Sequence, residues 1–187
     1  MVYRDVKQEN IGFDIRGDVK LFDFGLCKSL DEKWKAKGHG YQLTPYTGSV
    51  PYMAPEVGKG LPYDQSADVF SFAILVWETL ALTTAFRGYS HQKYVSRVCK
   101  STERPRIPQS WPIAIRSILA EAWDDEPQER PSMAIFAKAI LGCLQDLTND
   151  SSVLNRIEGM SNRDFGPSRM LKRSASSLSV AAEGTCK

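Results

Sequence analysis

The chain has 187 residues, of which 42% are hydrophobic and 25% charged, and its formal net charge is +2. A balance this close to neutral argues against a nucleic-acid-binding protein and against electrostatic attachment to a membrane. No run of about eighteen apolar residues occurs, so no membrane-spanning helix is predicted. The four cysteines lack CxxC spacing, which favours reduced thiols in a cytoplasmic or nuclear protein over a disulfide framework or a zinc site.

The first predicted elements are two short β-strands, at residues 10–14 and 18–22. A glycine at position 17 between them favours a hairpin. A polar stretch without periodicity follows, from about residue 29 to residue 46. Loops of this length inside a compact domain are usually functional or mobile.

The later elements are predicted to be helices. Residues 66–82 are apolar nearly all round, which is typical of a buried central helix. Amphipathic helices are predicted at residues 92–99, 112–122 and 131–147, and the last two begin with proline. The fold class is therefore expected to be mainly α, with a short β-hairpin near the start of the chain.

The composition changes near residue 149. Residues 149–187 contain few large apolar side chains and are rich in serine towards their end. Such a segment cannot bury enough surface to offset the chain entropy lost on folding. We therefore expect residues 1–148 to form the folded domain and residues 149–187 to form a disordered, Ser-rich tail.

Chemically informative residues concentrate in the first sixty positions. Residues 3–10 read Tyr-Arg-Asp-Val-Lys-Gln-Glu-Asn, so an acid, a base and an amide stand close together just before a strand. Residues 23–25 read Asp-Phe-Gly and follow the second strand, and residues 52–56 read Tyr-Met-Ala-Pro-Glu. Each motif is weak alone. In this order and at these spacings they resemble the catalytic loop, the metal-binding tripeptide and the activation-segment end of the eukaryotic protein kinase superfamily.

The resemblance implies a role for each matched residue. Asp5 would accept or orient the proton of the substrate hydroxyl, and Lys7 would offset charge on the transferred phosphate of ATP. Asn10 and Asp23 would hold the Mg²⁺ that bridges the ATP phosphates, because hard oxygen donors suit this ion. Ser49 would bond to both Asp5 and Lys7.

The same resemblance bears on the substrate. Lysine two positions after the aspartate, together with Gly-Ser-Val-Pro-Tyr at residues 48–52, resembles serine/threonine kinases more than tyrosine kinases. The expected partners are therefore proteins with serine or threonine acceptors. Later runs resemble the tyrosine-kinase-like branch, whose members are mostly serine/threonine kinases; these runs lie at residues 104–108, 111–112, 122–127 and 130–133.

Arg4 directly precedes the catalytic aspartate. In the family such an arginine often pairs with a phosphate on the activation segment and orders it. The candidate phosphate acceptors are Thr44, Tyr46 and Thr47, and an upstream activating kinase is then a further expected partner. The alternative is that these three are ordinary polar loop residues.

Three further matched residues are expected to be structural. Glu56 and Arg130 match a buried ion pair that joins the end of the activation segment to the helical core. Asp68 matches an aspartate at the start of the buried helix, which accepts hydrogen bonds from the backbone of the catalytic loop. Substituting any of the three is expected to look like loss of function, although none would be catalytic.

The matched motifs belong to the C-terminal lobe of a kinase domain. The glycine-rich loop, the strand lysine and the helix glutamate of the family have no counterpart in the sequence. We therefore expect the N-lobe to be absent and the chain alone to be inactive, and poorly soluble or partly molten. Two functions remain open: the catalytic lobe of a kinase active in a longer form, or an inactive scaffold or docking module. Intact Asp5, Asn10 and Asp23 favour the first.

Overall fold

The computed structural model of the chain describes residues 1–149. The predicted tail at residues 149–187 lies outside the described residues except for Asn149, so its disorder stays a prediction. Within the described part the fold is mainly helical, with a two-stranded antiparallel hairpin. The predicted fold class is therefore confirmed.

The hairpin joins two of the candidate motifs. Strand β1 (Ile11–Phe13) pairs with β2 (Val19–Leu21), with Ile11 opposite Leu21. The connection is closed by Asp14, whose carboxylate accepts hydrogen bonds from two backbone N–H groups of the turn. At the open end, the Phe22 N–H donates to the carbonyl of Asn10 at 2.8 Å, so the Asp-Phe-Gly motif begins beside Asn10.

Helices make up most of the rest. Their bounds are α1 (Pro55–Lys59), α2 (Ser66–Ala81), α3 (His91–Tyr94), α4 (Ile113–Ala122) and α5 (Met133–Asn149). A π-helical turn (Val95–Cys99) follows α3 directly, so the helix predicted at residues 92–99 has two parts. Sequence reasoning missed α1, because five residues between Pro55 and the left-handed Gly60 are too short to show periodicity. None of the helices in residues 1–149 is long and apolar enough to cross a bilayer.

The core lies around α2. Phe70 and Ile74 are fully buried, and α4 and α5 contribute Leu119 and Phe136, which are also fully buried. The prediction of burial all round α2 is wrong at its C-terminal end, where Leu80 is 46% exposed. There the helix ends and no described element covers that flank.

The long polar stretch is more ordered than its sequence suggests. A 3₁₀ turn (Glu32–Trp34) is capped by the Asp31 carboxylate, which accepts a hydrogen bond from the backbone N–H of Lys33. Further on, Tyr41 and Tyr63 exchange two backbone hydrogen bonds of 2.9 and 3.1 Å. This bridge fixes the loop against the segment that leads into α2.

Candidate active site

Asp5 lies at the centre of the candidate site and is 7% exposed. Its carboxylate contacts three side chains: the Lys7 Nζ lies 2.9 Å from Oδ2, Ser49 Oγ donates to Oδ1 at 2.8 Å, and Asn10 Nδ2 donates to Oδ2 at 2.9 Å. The Lys7 Nζ also donates to Ser49 Oγ at 2.9 Å. The structure thus brings four of the five predicted catalytic and metal-binding residues together, and Asp5, Lys7 and Ser49 form a closed triangle.

The triangle fixes the charge state of its members. Burial would raise the pKa of Asp5, but hydrogen bonds from Lys7, Ser49 and Asn10 outweigh burial and hold that pKa below its ordinary value. The hydrogen bond to Asp5 raises the pKa of Lys7. At neutral pH the site therefore holds a carboxylate beside an ammonium group. A carboxylate of lowered pKa is a weak base, so this geometry suits orienting an acceptor hydroxyl more than removing its proton early.

Asp68 anchors the backbone of the catalytic loop. One carboxylate oxygen accepts the Tyr3 N–H at 2.7 Å and the other accepts the Arg4 N–H at 2.8 Å. Arg4 has a φ of +72°, a conformation that non-glycine residues rarely adopt. A side chain at Gly48 would collide with the Arg4 carbonyl oxygen, so the Ser49 loop can approach only because position 48 is glycine.

Asn10 and Asp23 are the predicted metal ligands. Asn10 Nδ2 donates to the carbonyl and to the carboxylate of Asp5, and within the described residues this leaves the Asn10 amide oxygen without a donor. Asp23 is exposed and its Oδ1 accepts the Gly25 N–H at 3.1 Å; no described hydrogen bond joins it to the Asp5 group. No cluster of three His, Cys, Asp or Glu side chains in residues 1–149 could hold a metal ion. Two oxygen ligands without a closed cage fit Mg²⁺, which keeps water and phosphate oxygens in its shell.

Arg4 is connected to the predicted phosphate-acceptor loop. Its Nε donates to the Leu26 carbonyl at 2.6 Å, and its Nη1 donates to Tyr63 Oη at 3.2 Å. Tyr63 Oη in turn donates to the Thr44 carbonyl at 2.7 Å, and Thr47 Oγ1 donates to the same carbonyl at 2.8 Å. Thr44 and Thr47 therefore lie on the side of the loop that Tyr63 links to Arg4.

Tyr46 makes different contacts. Its backbone has a φ of +55°, its N–H donates to the Val57 carbonyl at 3.2 Å, and its side chain is 57% exposed. The ring lies edge-on to His91, with centroids 6.5 Å apart. The described contacts of Tyr46 are thus with α1 and α3, and none is with Arg4.

Glu56 and Arg130 form a buried ion pair. Arg130 Nη1 and Nη2 donate to the two Glu56 carboxylate oxygens at 2.7 and 2.8 Å, and both residues are at most 6% exposed. Arg130 Nε also donates to the Asp124 carbonyl at 2.8 Å. The pair joins α1, which begins within the Ala-Pro-Glu motif, to the segment that precedes α5.

Sequence reasoning missed two buried residues near the site. Tyr63 is fully buried and carries the link described above, and no motif marks it. Glu78 is 6% exposed and accepts hydrogen bonds from Tyr52 Oη at 2.5 Å and from the Ala85 N–H at 2.7 Å. Burial, together with the bond to Glu78, raises the pKa of Tyr52. An available signal for Glu78 was that it is the one acid of α2 besides Asp68, within an otherwise mostly apolar helix.

The chain is similar to known proteins over most of its length. A family model described as protein kinase domain matches residues 1–141. Similar curated proteins of Dictyostelium discoideum include dual specificity protein kinase shkD (36% identical over 72% of this chain), shkB (37% over 74%) and shkC (34% over 88%). The aligned regions are 17%, 21% and 30% of those relatives, so the chain spans less than a third of their length.

Proposed function

Because the chain belongs to the protein kinase domain family, we propose that it supplies the catalytic lobe of a protein serine/threonine kinase. That enzyme transfers the γ-phosphate of ATP to serine or threonine hydroxyls of protein substrates. The observation that carries the proposal is the triangle of Asp5, Lys7 and Ser49, held at 2.8–2.9 Å. Phosphoryl transfer needs mainly positioning and charge neutralisation, and this triangle provides a fixed acceptor next to a fixed cation.

Each member of the triangle has its own task in the proposed reaction. The Asp5 carboxylate accepts a hydrogen bond from the substrate hydroxyl. This bond orients the hydroxyl oxygen towards the phosphate. The Lys7 ammonium stabilises the negative charge of the phosphate oxygens as the group moves. Ser49 Oγ contacts both side chains, so it restricts their rotamers and positions the substrate-side loop beside Asp5.

ATP and Mg²⁺ are the cofactors that the family uses, and the residues of this chain fit the metal. The amide oxygen of Asn10 and the carboxylate of Asp23 would hold Mg²⁺. When bound, the ion neutralises charge on the phosphates. Asn10 is already fixed by its two bonds to Asp5, whereas Asp23 is exposed and bonds mainly within its own motif.

A second acceptor class comes from the relatives. The three described above are named dual specificity kinases, which extends the candidate acceptors to tyrosine hydroxyls. Lys7 and Ser49 support serine and threonine as the primary acceptors. We place the chain in the tyrosine-kinase-like branch as a proposal, on the runs at residues 104–108 and 130–133.

Regulation and location complete the proposal. Phosphorylation of Thr44 or Thr47 by an upstream kinase would add an anion on the side of the loop that Tyr63 links to Arg4, and that anion would order the segment. Thr44 is the preferred phosphate acceptor, because its carbonyl accepts a hydrogen bond from the Tyr63 hydroxyl, to which Arg4 donates. Residues 1–148 would form the catalytic domain portion, and the enzyme would act in the cytoplasm or the nucleus.

The test is Mg²⁺-dependent phosphate transfer from ATP to peptides with serine, threonine or tyrosine acceptors. It uses this chain and any longer product of the same gene. Asp5→Asn is expected to lower kcat by about 10²–10⁴-fold, because the hydroxyl loses its charged acceptor. Asp14→Asn is the matched control, since Asp14 closes the hairpin turn away from the triangle.

The outcome separates the two functions. Full activity in Asp5→Asn would contradict the assignment of Asp5. If neither this chain nor a longer product transfers phosphate or binds ATP, the catalytic proposal falls and the scaffold function takes its place.

A further inference from the structure

A cleft of about 520 Å³ lies between α1 and the segment formed by α3 and the π-helical turn. This is within the usual size range of ligand-binding sites. Tyr46, Lys59, His91 and Lys100 line it, and all four are exposed. We call it the α1–α3 cleft. It is separate from the triangle around Asp5, and the proposed chemistry does not use it.

Close packing forms the floor of the cleft. A Cβ atom at Gly58 would lie 2.5 Å from the Cys99 sulfur, so α1 and the π-helical turn can touch only because position 58 is glycine. Tyr46 closes one end of the cleft. Its hydroxyl packs against Gly60, 3.5 Å from where a Cβ atom would be, and its ring lies edge-on to His91. The floor and one end are thus fixed by the fold, and the cleft is a formed concavity.

The charge of the cleft has one sign. Residues 57–61 and 90–102, which form its two sides, contain no Asp or Glu. The nearest acids along the chain are engaged elsewhere: Glu56 pairs with Arg130, and Glu103 accepts the Tyr89 hydroxyl at 2.5 Å.

The two lysines of the cleft are among the described surface lysines that have no ion-pair partner. In residues 1–149 no carboxylate lies within ion-pair distance of Lys59 or Lys100. By contrast, Lys33 pairs with its neighbour Asp31 at 2.9 Å, and Lys35 pairs with Glu32 at 3.2 Å. The cleft therefore offers two ammonium groups that an external anion can approach without displacing an internal partner.

The position of the cleft relates it to the triangle. Tyr46 stands three residues before Ser49, whose hydroxyl contacts Asp5. Three extended residues span about 10 Å. The Tyr46 end of the cleft is therefore within reach of a peptide whose hydroxyl contacts Asp5, at residues three or more positions from that hydroxyl.

We propose that the α1–α3 cleft binds an acidic segment of the protein substrate, a run of Asp or Glu three or more residues from the acceptor hydroxyl. The position of the acceptor rests on the proposed function, whereas the affinity of the cleft for carboxylates does not. An acidic peptide matches both its charge and its concave shape. A bilayer is flat and touches a concavity poorly.

The first experiment measures binding and needs no catalysis. A fluorescent peptide with a serine followed by a run of glutamates is titrated into the 187-residue chain, beside the same peptide with glutamines. We expect the glutamate peptide to bind more tightly and to weaken as salt rises. The double variant Lys59→Ala/Lys100→Ala should weaken it about tenfold, in line with two exposed ion pairs within their usual range.

The matched control is Lys33→Ala/Lys35→Ala, which removes two lysines that already have internal partners and should leave affinity unchanged. Equal binding of the two peptides, or an equal loss in both double variants, overturns the proposal. A charge exchange guards against a fold effect: Lys59→Glu/Lys100→Glu should lose the glutamate peptide and gain a lysine peptide. The proposal would also be overturned if phosphatidylserine vesicles bound through Lys59 and Lys100 while the glutamate peptide did not bind.

The second experiment separates this inference from the proposed function. Peptides with glutamate scanned along both flanks of a serine are phosphorylated by whichever product of the gene is active. We expect a glutamate preference on one flank, lost in Lys59→Ala/Lys100→Ala without change of kcat on a neutral peptide. Transfer without such a preference overturns the inference and leaves the proposed function standing. Lysine-dependent peptide binding without any phosphate transfer or ATP binding supports the cleft and overturns the proposed function.

Discussion

The hairpin and the helical half of the molecule differ sharply in how much apolar surface they bury. Phe13 and Val19 on the hairpin are 69% and 61% exposed, whereas Phe70 and Phe136 of the helices are fully buried. Yet Asn10 and Asp23, the predicted metal ligands, flank the hairpin. This comparison shows that the predicted metal ligands are positioned by polar contacts and not by burial of the hairpin. Their rigidity depends on the helices to which these contacts connect them.

Directional hydrogen bonds join the catalytic loop, which leads into the hairpin, to the helical half. Asp68 of α2 accepts two N–H groups of the catalytic loop, and Ser49 donates to Asp5. Segments with few buried apolar contacts open at lower free energy than core helices. Damage to the helical half should therefore reach the site, while changes on the exposed hairpin face should not.

The largest effect is expected at the buried ion pair. Arg130→Ala leaves the Glu56 carboxylate buried and unpaired, which should lower the free energy of unfolding by about 3–5 kcal/mol. Chemical denaturation with circular dichroism measures this.

A double-mutant cycle provides the control. Glu56→Ala/Arg130→Ala should cost less than the sum of the two single changes, since neither charge is then left alone. Strict additivity would mean that the two side chains do not stabilise each other, and the helical half would then not depend on this pair.

A smaller effect is expected at the contact between α1 and the π-helical turn. Gly58→Ala places a Cβ 2.5 Å from the Cys99 sulfur, so the two segments must separate, at a cost of about 1–3 kcal/mol. Thermal and chemical melts measure the loss. Cys99→Ala added to Gly58→Ala should recover part of it, because the colliding sulfur is gone. A Gly58→Ala variant as stable as the parent would show that the contact is looser than the structure has it.

The smallest effect is expected on the hairpin. Phe13→Ala should change the free energy of unfolding by less than about 0.5 kcal/mol, because the ring is mostly exposed. Phe136→Ala is the matched control with the same chemistry in the core, and it should cost about 3–5 kcal/mol. Similar losses for the two phenylalanines would break the comparison between the regions.

Sequence alone predicted the elements whose pattern is strong. The nearly continuous apolar run predicted α2 to within one residue at its C-terminus, and the strands flanking Gly17 predicted the hairpin. The spacing of the motifs around Asp5, Lys7 and Ser49 predicted that these side chains belong together. Spacing is informative here because the motifs fix the order of these residue types along the chain. The prediction therefore holds even though Asp5 and Ser49, which are in contact, are 44 residues apart.

The rest depended on contacts between distant residues that carry no local pattern. Tyr63 joins Arg4 to the Thr44 carbonyl across 59 residues of chain, and nothing in its neighbours marks it. The α1–α3 cleft exists because Gly58 and Cys99 touch, which no periodicity reveals. The division of the helix predicted at residues 92–99 arises because the backbone widens into a π turn there.

The support of the catalytic loop by Asp68 has a consequence for biosynthesis. Arg4 and Asp68 are 64 residues apart, and the pair formed by Glu56 and Arg130 spans 74 residues. A ribosome therefore releases the catalytic loop well before it releases the side chains that hold it, and long-range closures of this kind form late. The residues that face ATP in the proposed reaction thus leave the ribosome before α2 and Arg130, and they reach their working geometry only after both have been made.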